Sequence, residues 1–103
     1  MKPLIRTKFL VLHQTAKALY NSSNLYRDEV EDALKRFRNL DFGDVSNQDL
    51  NDNTDTLANE SGMLVGRYKT AFGGFTNVIH NMDFGKTIVT LVLVPVKCSH
   101  FGF

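Results

Sequence analysis

The periodicity of the sequence changes at Gly62, and this change sets the fold class. Before Gly62, apolar residues recur at helical spacing, most clearly at Val30, Ala33, Leu34 and Phe37. After it, stretches rich in β-branched residues alternate with Gly-containing turns, as in three strands joined by two hairpins. Two or three helices followed by antiparallel strands predict one α+β domain, and 103 residues suffice for a single hydrophobic core.

The N-terminal half predicts a strand and two helices. Residues 4–12 alternate and then run apolar, which favours a partly buried strand. The stretch "HQTAKALYNSS" predicts a short helix that ends near residue 23. In the longer amphipathic helix that follows, Ser23 or Asn24 is the predicted N-cap. Leu40 or Asp41 is expected to complete the buried face, and Gly43 is expected to stop the helix.

A third helix is predicted over Asn47–Asn59, with Ser46 as its N-cap. Gly62 is the expected left-handed residue at its end. Its predicted inward side consists of Leu50, Thr54, Leu57 and Ala58. The chain then forms a three-stranded antiparallel meander with helices packed on one face. The last strand, "TIVTLVLVPV", is nearly all apolar, so it is expected to be central or covered on both faces and to end at Pro95.

Two features predict a cytoplasmic location. The lone Cys98 excludes an internal disulfide, which favours a reducing compartment. The stretch "KFLVLHQTAKA" imitates a signal peptide, but its apolar run covers only residues 9–12, against about 7–15 residues in a secretory signal. No stretch of the sequence has the length of a membrane span, so no membrane contact is expected.

Charge is segregated along the chain although the formal net charge is only +1. Residues 1–40 hold eight Lys/Arg against four Asp/Glu, whereas residues 41–62 hold six acids and no base. Residues 63–103 hold four bases against one acid. A protein built mainly to grip nucleic acid usually carries a plain basic excess, so nucleic acid is not the favoured partner.

The stretch "DLNDNTD", residues 49–55, is nearly spelled as an EF-hand calcium loop. Its ligand positions would be Asp49, Asn51, Asn53, Asp55 and Glu60. However, Thr54 stands where the loop needs Gly, and the flanking residues do not predict the entering and exiting helices of an EF-hand. The helical interpretation is therefore favoured, and no metal site or cofactor is predicted.

Signals for catalysis are weak. Asp-Phe-Gly occurs at residues 41–43 and 83–85, where it is predicted to mark turns. His80 and Asp83 face each other across a predicted turn and would be the acid–base pair of an enzyme, although a hydrogen-bonded hairpin end is the favoured interpretation. The soft metal ligands, His13, His80, Cys98 and His100, lack the spacing of a zinc site. No catalytic residue is predicted.

The meander also supports an alternative, a basic and aromatic sheet face for single-stranded nucleic acid. Aromatic side chains at Tyr68, Phe72 and Phe75 adjoin basic ones on neighbouring strands. The nucleic-acid-binding residues of this alternative are Arg36, Arg38, Arg67, Lys69 and Lys86. The protein would then be a small nucleic-acid-binding regulator.

Residues 37–95 resemble a poorly characterised family of small bacterial, plasmid and phage accessory proteins. Its members have Gly-Asp-Trp-Gly-Asp, an acidic helix containing Asn, "RLLSAY", "ITE.DRS" and an apolar strand. The counterparts here are residues 41–44, Asn51 or Asn53, Gly62, "MLVGRY" at 63–68, "VIHNMD" at 78–83 and "TIVTLVLVP" at 87–95. Phe42 replaces the Trp, and the Glu and Arg of the turn are missing. The resemblance implies a small accessory or anti-defence protein of a mobile element.

These observations lead to one preferred hypothesis, a non-enzymatic interaction module from a mobile genetic element. Carboxylates displayed on a rigid helix can imitate spaced phosphates and occupy the basic groove of a nucleic-acid enzyme. The expected partner is therefore a host protein, with anti-CRISPR or anti-restriction inhibition as the sharpest version; the sequence is also compatible with a homodimer. The predicted partner-binding residues are Asp41, Asp44, Asp49, Asp52, Asp55 and Glu60.

Overall fold

The computed structural model describes residues 5–94 of the chain. In chain order, the elements are β1 (Phe9–Leu12), α1 (Gln14–Ser22), α2 (Asn24–Arg38), α3 (Asn47–Asn59), β2 (Met63–Thr70), β3 (Gly74–Asn81) and β4 (Lys86–Leu93). The predicted α+β class is confirmed, with three helices. Within the described part of the chain, no helix is both long enough and apolar enough to cross a membrane.

The four strands form one mixed sheet in the order β1-β4-β3-β2. The antiparallel meander β2-β3-β4 is present as predicted, but β1 joins it in parallel, beside β4. This parallel pairing follows from the crossover through the helices, which brings the chain back to the far side of the sheet. The prediction that β4 is central is confirmed, although its second face is not fully covered, since Val92 is 51% exposed.

The core lies between one face of the sheet and helices α1 and α2. Alternate residues of each strand point into it, as the two-residue period requires. They are Leu64, Gly66 and Tyr68 of β2, Thr76, Val78 and His80 of β3, and Thr87, Val89 and Leu91 of β4. Helix α2 covers them with Tyr26, Val30, Ala33, Leu34 and Phe37. The helical face read from the sequence is therefore confirmed, apart from Leu40.

The start of α2 agrees with the sequence, but its end does not. Ser23 is the N-cap, and its Oγ accepts a hydrogen bond from the Tyr26 N–H at 3.2 Å. The helix ends at Arg38, before the predicted stop at Gly43, because Leu40 adopts a left-handed conformation with φ of 65°. Leu40 consequently turns away from the core and is exposed.

Helix α3 has the predicted bounds and the predicted cap, since the Ser46 Oγ accepts a hydrogen bond from the Asp49 N–H. The predicted inward face is confirmed only for Leu57, which packs against the core. Leu50, Thr54 and Ala58 are exposed, and Asn53 is the buried residue of the helix. The helix packs against an edge of the sheet, where the groups to be satisfied are backbone N–H and C=O groups. An amide therefore faces inward where a leucine was expected.

Two smaller differences concern element ends. Glu60, not Gly62, is the left-handed residue that ends α3. Strand β1 begins at Phe9 rather than at residue 4, because its partner β4 begins at Lys86, directly opposite Phe9. The predicted strand end at Pro95, together with Cys98 and His100, lies outside the described residues.

The helical backbone over 47–59 also rules out an EF-hand loop there.

Candidate functional site

Residues 41–62, which hold six acids and no base, form the acidic segment. This segment closes the outer edge of β2. Along this edge, the Thr56 hydroxyl donates to the Met63 C=O at 3.0 Å. The Asn53 side chain bonds to both backbone groups of Val65, at 2.8 Å and 2.9 Å. Farther along, the Arg67 N–H donates to the Phe42 C=O and the Arg67 C=O accepts from the Asp44 N–H. The segment therefore caps an edge that would otherwise be open to other strands.

The first Asp-Phe-Gly turn anchors this segment to the core. Phe42 is buried and meets Phe37 edge-on, with ring centroids 5.5 Å apart. The Asp41 carboxylate accepts hydrogen bonds from the Gly43 N–H at 3.1 Å and from Arg36 Nε at 2.8 Å. The Tyr68 hydroxyl donates to the Asp41 C=O at 2.6 Å. Gly43 has φ of 71°, so the turn prediction is confirmed.

Arg36 and Asp41, from the two competing sets of predicted residues, are partners of each other. The hydrogen bond from Arg36, and then that from the Gly43 N–H, hold the pKa of Asp41 below its usual value. The Arg36 guanidinium also lies over the Tyr68 ring, 5.0 Å from its centroid. Both charges therefore serve the fold, which weakens the case for either as a contact with a partner.

The remaining predicted acids are spread over a loop and a helix. The Asp44 carboxylate lies 4.0 Å from Lys69 Nζ. Asp49, Asp52 and Asp55 follow one another at intervals of three along α3, which carries no base. Asp52 accepts a hydrogen bond from Gln48 within the helix. Glu60 lies just beyond these residues as the C-terminal cap, so the helix and its cap, rather than the whole set, form the acidic surface.

The face of the sheet turned away from α1 and α2 carries a continuous aliphatic row. Val11 pairs with Ile88, Ile88 with Ile79, and Ile79 with Val65, so the row crosses all four strands in register. Val11 is 39% exposed, and the other three side chains are half-buried. We call these four residues the aliphatic row. Residues in register on neighbouring strands point to the same side of a sheet, so this row faces away from the core.

Three of the five predicted basic residues flank the aliphatic row. Arg67, Lys69 and Lys86 project from the same face, at strand positions of the same parity as Val65 and Ile88. Arg67 stacks on Phe75, with its guanidinium carbon 3.8 Å from the ring centroid. Arg36 and Arg38 belong to α2, on the opposite side of the sheet, and do not join the others.

The aromatic part of the predicted nucleic-acid face is only partly present. Tyr68 points into the core and is buried. Phe72 lies in the turn after β2 and meets Tyr26 edge-on, with centroids 5.8 Å apart. Phe75 alone remains on the open face, at a shallow hollow of about 340 Å³ that is also lined by Asp49, Val65, Arg67, Asn77, Ile79 and Val92.

His80 and Asp83 do not form the acid–base pair that an enzyme would need. His80 is buried, and its Nδ1 lies 2.7 Å from the Thr87 hydroxyl, which lies 2.8 Å from the Thr7 hydroxyl. Burial lowers the pKa of His80. The Asp83 carboxylate instead accepts a hydrogen bond from Ser61 at the surface. The favoured interpretation, a hydrogen-bonded hairpin end, is confirmed.

Two features of this region were not predicted from the sequence. The aliphatic row had a signal only in the last strand, where the β-branched residues Ile88, Thr90 and Val92 occupy every second position. The role of Asn53 had none, since only its distance in space from Val65 reveals it. In the described part of the chain, no three His, Cys, Asp or Glu side chains come together as a metal site.

Comparison of the chain with protein families, curated proteins and solved structures finds no match. The resemblance over residues 37–95 therefore stays a prediction, and the function has to be argued from the surfaces themselves.

Proposed function

We propose that this protein is a non-enzymatic interaction module that binds a host protein through the aliphatic row and the acidic helix beside it. The observation that carries the proposal is the junction at Val65. The aliphatic row ends there, and Asn53 fastens α3 to the same residue. An apolar surface and a set of carboxylates are thus held side by side by hydrogen bonds between a side chain and the backbone.

The apolar part of this surface favours a protein partner. Contiguous exposed apolar residues on a small soluble domain mark interaction sites more often than single exposed ones do. The aliphatic row adjoins further exposed apolar side chains, Phe9 and Val92, on the same face. Partners that exclude water from such a surface gain about 25 cal/mol for each Å² of apolar area buried.

The charged part favours a basic surface on that partner. Asp49 lines the hollow that Val65 and Ile79 also line. Asp52, Asp55 and Glu60 are exposed farther along the same helix and its cap, and the helix carries no base. The bases of the sheet face are partly engaged, because Arg67 stacks on Phe75 and Lys69 lies near Asp44. The complementary surface is an apolar patch bordered by Lys or Arg, as in the grooves of nucleic-acid enzymes.

The sharpest form of the proposal is inhibition of a host defence nuclease, with the acidic helix in the position of the DNA phosphates. An anti-CRISPR or anti-restriction protein of a plasmid or phage would act in this way in the cytoplasm. The origin from a mobile element is supported by the resemblance over residues 37–95 alone.

Ion-exchange chromatography with charge-matched variants tests the acidic surface first. The protein has a net charge of +1, yet we expect α3 to retain it on an anion exchanger at low salt. Asp52→Asn combined with Asp55→Asn should shorten retention more than Asp28→Asn combined with Asp32→Asn on α2. The same two pairs of variants, and a separate Ile79→Lys variant in the aliphatic row, are then assayed for inhibition of host restriction and CRISPR nucleases. Equal effects of both pairs on retention and inhibition would contradict the proposal.

Single-stranded nucleic acid is the second candidate partner. The specific observation in its favour is that Arg67, Lys69 and Lys86 share one face with Phe75, although these residues come from three different strands. It ranks second because Arg67 covers the ring that would stack on a base. Strong heparin retention that falls steeply with salt, and falls more with Lys69→Gln/Lys86→Gln than with Lys17→Gln/Lys35→Gln, would support it.

A further inference from the structure

The two outer edges of the sheet end differently. The edge of β2 is closed by side-chain and backbone hydrogen bonds from Thr56, Asn53 and residues 42–44. Strand β1 forms the other edge, and within residues 5–94 no strand pairs with its outer side. One edge is therefore protected by the fold, and the other is open to a further strand.

Strand β1 turns specific backbone groups outward. The Phe9 N–H donates to the Gly85 C=O at 3.1 Å, and the His13 N–H donates to the Val89 C=O at 2.9 Å. In a parallel ladder, alternate residues bond to the same neighbour, so residues 9, 11 and 13 are directed toward β4. Leu10 and Leu12 consequently present their N–H and C=O groups to the outside.

The side chains of β1 lack the usual protection of an edge strand. Phe9, Leu10 and Val11 are 62%, 44% and 39% exposed. The strand contains no charged residue, no proline and no bulge, which are the features that keep natural edges from pairing. An apolar edge with free backbone groups is matched by an extended peptide that adds a strand.

A groove beside this edge can receive the side chains of an added strand. The groove has a volume of about 330 Å³ and lies between β1 and α1. Its lining residues are Leu10, Val11, Leu12, Lys17, Tyr20 and Asn21. Lys17 is exposed, whereas Tyr20 packs partly against the core. An added strand would thus have an apolar wall on one side and an ammonium group within reach.

The charge around β1 selects the chemistry of the occupant. Residues 5–22 contain three exposed bases, Arg6, Lys8 and Lys17, and no acid. The Arg27 guanidinium adds a fourth positive charge behind the groove, 5.2 Å from the centroid of the Tyr20 ring. A second copy of the chain would bring like charges together, which disfavours pairing of β1 with itself. An acidic strand would be attracted.

We infer that the outer edge of β1 binds an extended segment of another protein, with alternating apolar and acidic residues, as a fifth strand of the sheet. Its apolar side chains would continue the aliphatic row beyond Val11, and its carboxylates would meet Lys17. This site shares Val11 with the aliphatic row, but the outward backbone groups of β1 and Lys17 lie at the opposite edge of the sheet from α3.

Fluorescence polarisation with the full chain tests this inference. The probe is a labelled peptide of about eight residues that alternates valine and glutamate, and the control is a valine–lysine peptide of equal length. We expect the acidic peptide to bind at least about tenfold more tightly than the basic one. In a hydrogen-exchange experiment, the Leu10 and Leu12 amides should exchange faster than those of Phe9 and Val11, and the peptide should slow them.

Three variants locate the binding. Leu10→Pro removes an outward N–H without removing a bond to β4, and it should abolish binding of the acidic peptide. Lys17→Glu should reduce the preference for the acidic peptide, whereas Lys35→Glu, on α2, should leave it unchanged. Lys17→Glu should not alter nuclease inhibition, because Lys17 lies outside the aliphatic row and α3, which separates this test from that of the proposed function.

Three outcomes would overturn the inference. The first is no binding of either peptide at millimolar concentration, as when another part of the chain covers the edge. The second is binding that Leu10→Pro and Lys17→Glu leave unchanged. The third is a dimer in sedimentation experiments that Leu10→Pro dissociates, since a second copy would then occupy the edge.

Discussion

The side chain of Asn53 replaces a missing neighbouring strand for Val65. Its Oδ1 accepts from the Val65 N–H at 2.9 Å, and its Nδ2 donates to the Val65 C=O at 2.8 Å. These are the two bonds that a residue on a paired strand would make. The carboxamide of Asn53 has an acceptor oxygen and a donor nitrogen, and these reach the N–H and the C=O of Val65 together. Asn53 therefore both ends the sheet at β2 and orients α3.

Replacement of Asn53 by alanine should therefore destabilise the protein more than replacement of an exposed residue of the same helix. Asn53→Ala leaves two backbone groups without partners, and we expect a loss of about 2 kcal/mol in the free energy of unfolding. Asn51→Ala, at an exposed position of the same helix, should change it by less than about 0.5 kcal/mol. Urea denaturation followed by circular dichroism measures both; equal losses would show that Asn53 does not anchor α3.

The two Asp-Phe-Gly turns should respond differently to the same substitution. Both glycines have positive φ, so alanine costs about 1–2 kcal/mol at either position. At Gly43 a Cβ atom would also lie 2.8 Å from Tyr68 Cδ1 and would meet the Arg67 carbonyl, whereas at Gly85 it would mainly meet the flexible Lys8 side chain. Gly43→Ala should thus lower the melting temperature clearly more than Gly85→Ala; the reverse order would contradict the close packing of residues 41–44 on β2.

Acid should destabilise the fold through His80. Because burial lowers the pKa of His80 in the folded state, the unfolded chain takes up the proton first as the pH falls below about 6.5. Stability is then lost by at most about 1.4 kcal/mol for each pH unit, until the pH reaches the lowered pKa. His80→Gln stays neutral and should flatten this part of the profile of unfolding free energy against pH, while His13→Gln, at an exposed position, should not.

Asp41 should affect a separate and lower pH range. Its folded-state pKa is lowered by Arg36 and by the Gly43 N–H, so its contribution is complete above the ordinary aspartate value of about 3.9 and is lost below it. Asp41→Asn should therefore lower the free energy of unfolding by a constant amount above about pH 4, and it should change the slope of the profile only at the acid end. A change of slope near pH 6 in Asp41→Asn would instead mean that the two groups titrate together.

The elements that the sequence predicts well are those decided by local pattern. The buried face of α2, the caps at Ser23 and Ser46, and the alternation of the meander depend on neighbours within a few residues. Each of these patterns is repeated or sharply defined, so it is not easily overridden by tertiary contacts.

The features that the sequence does not reveal depend on contacts between distant segments. Asn53 faces inward because α3 meets a strand edge, and no periodicity distinguishes an edge from a core. Leu40 leaves the buried face because one left-handed residue ends the helix early. The pairing of Arg36 with Asp41 likewise joins two residues that the charge pattern assigned to opposite partner surfaces.

The sheet face turned away from α1 and α2 is open. Adjacent residues of β4 should therefore lose different amounts of stability when each is replaced by threonine. Val89 is fully buried under the helices, whereas Ile88 belongs to the aliphatic row on the other side. Threonine keeps the β-branched shape at both positions and introduces a hydroxyl group. Ile88→Thr also removes one carbon atom, so it would be the more costly change if both side chains were equally buried. Val89→Thr should cost about 2 kcal/mol, and Ile88→Thr less than about 1 kcal/mol.

Urea denaturation of both variants, with binding of an apolar fluorescent dye as a second readout, checks this prediction. Ile88→Thr should reduce dye binding because it interrupts the aliphatic row, while Val89→Thr should not reduce it. Equal free-energy losses at the two positions, together with weak dye binding by the unaltered chain, would mean that the aliphatic row is covered in solution. The surface would then be unable to meet a host protein in the way proposed, because a partner can exclude water only from residues that water reaches.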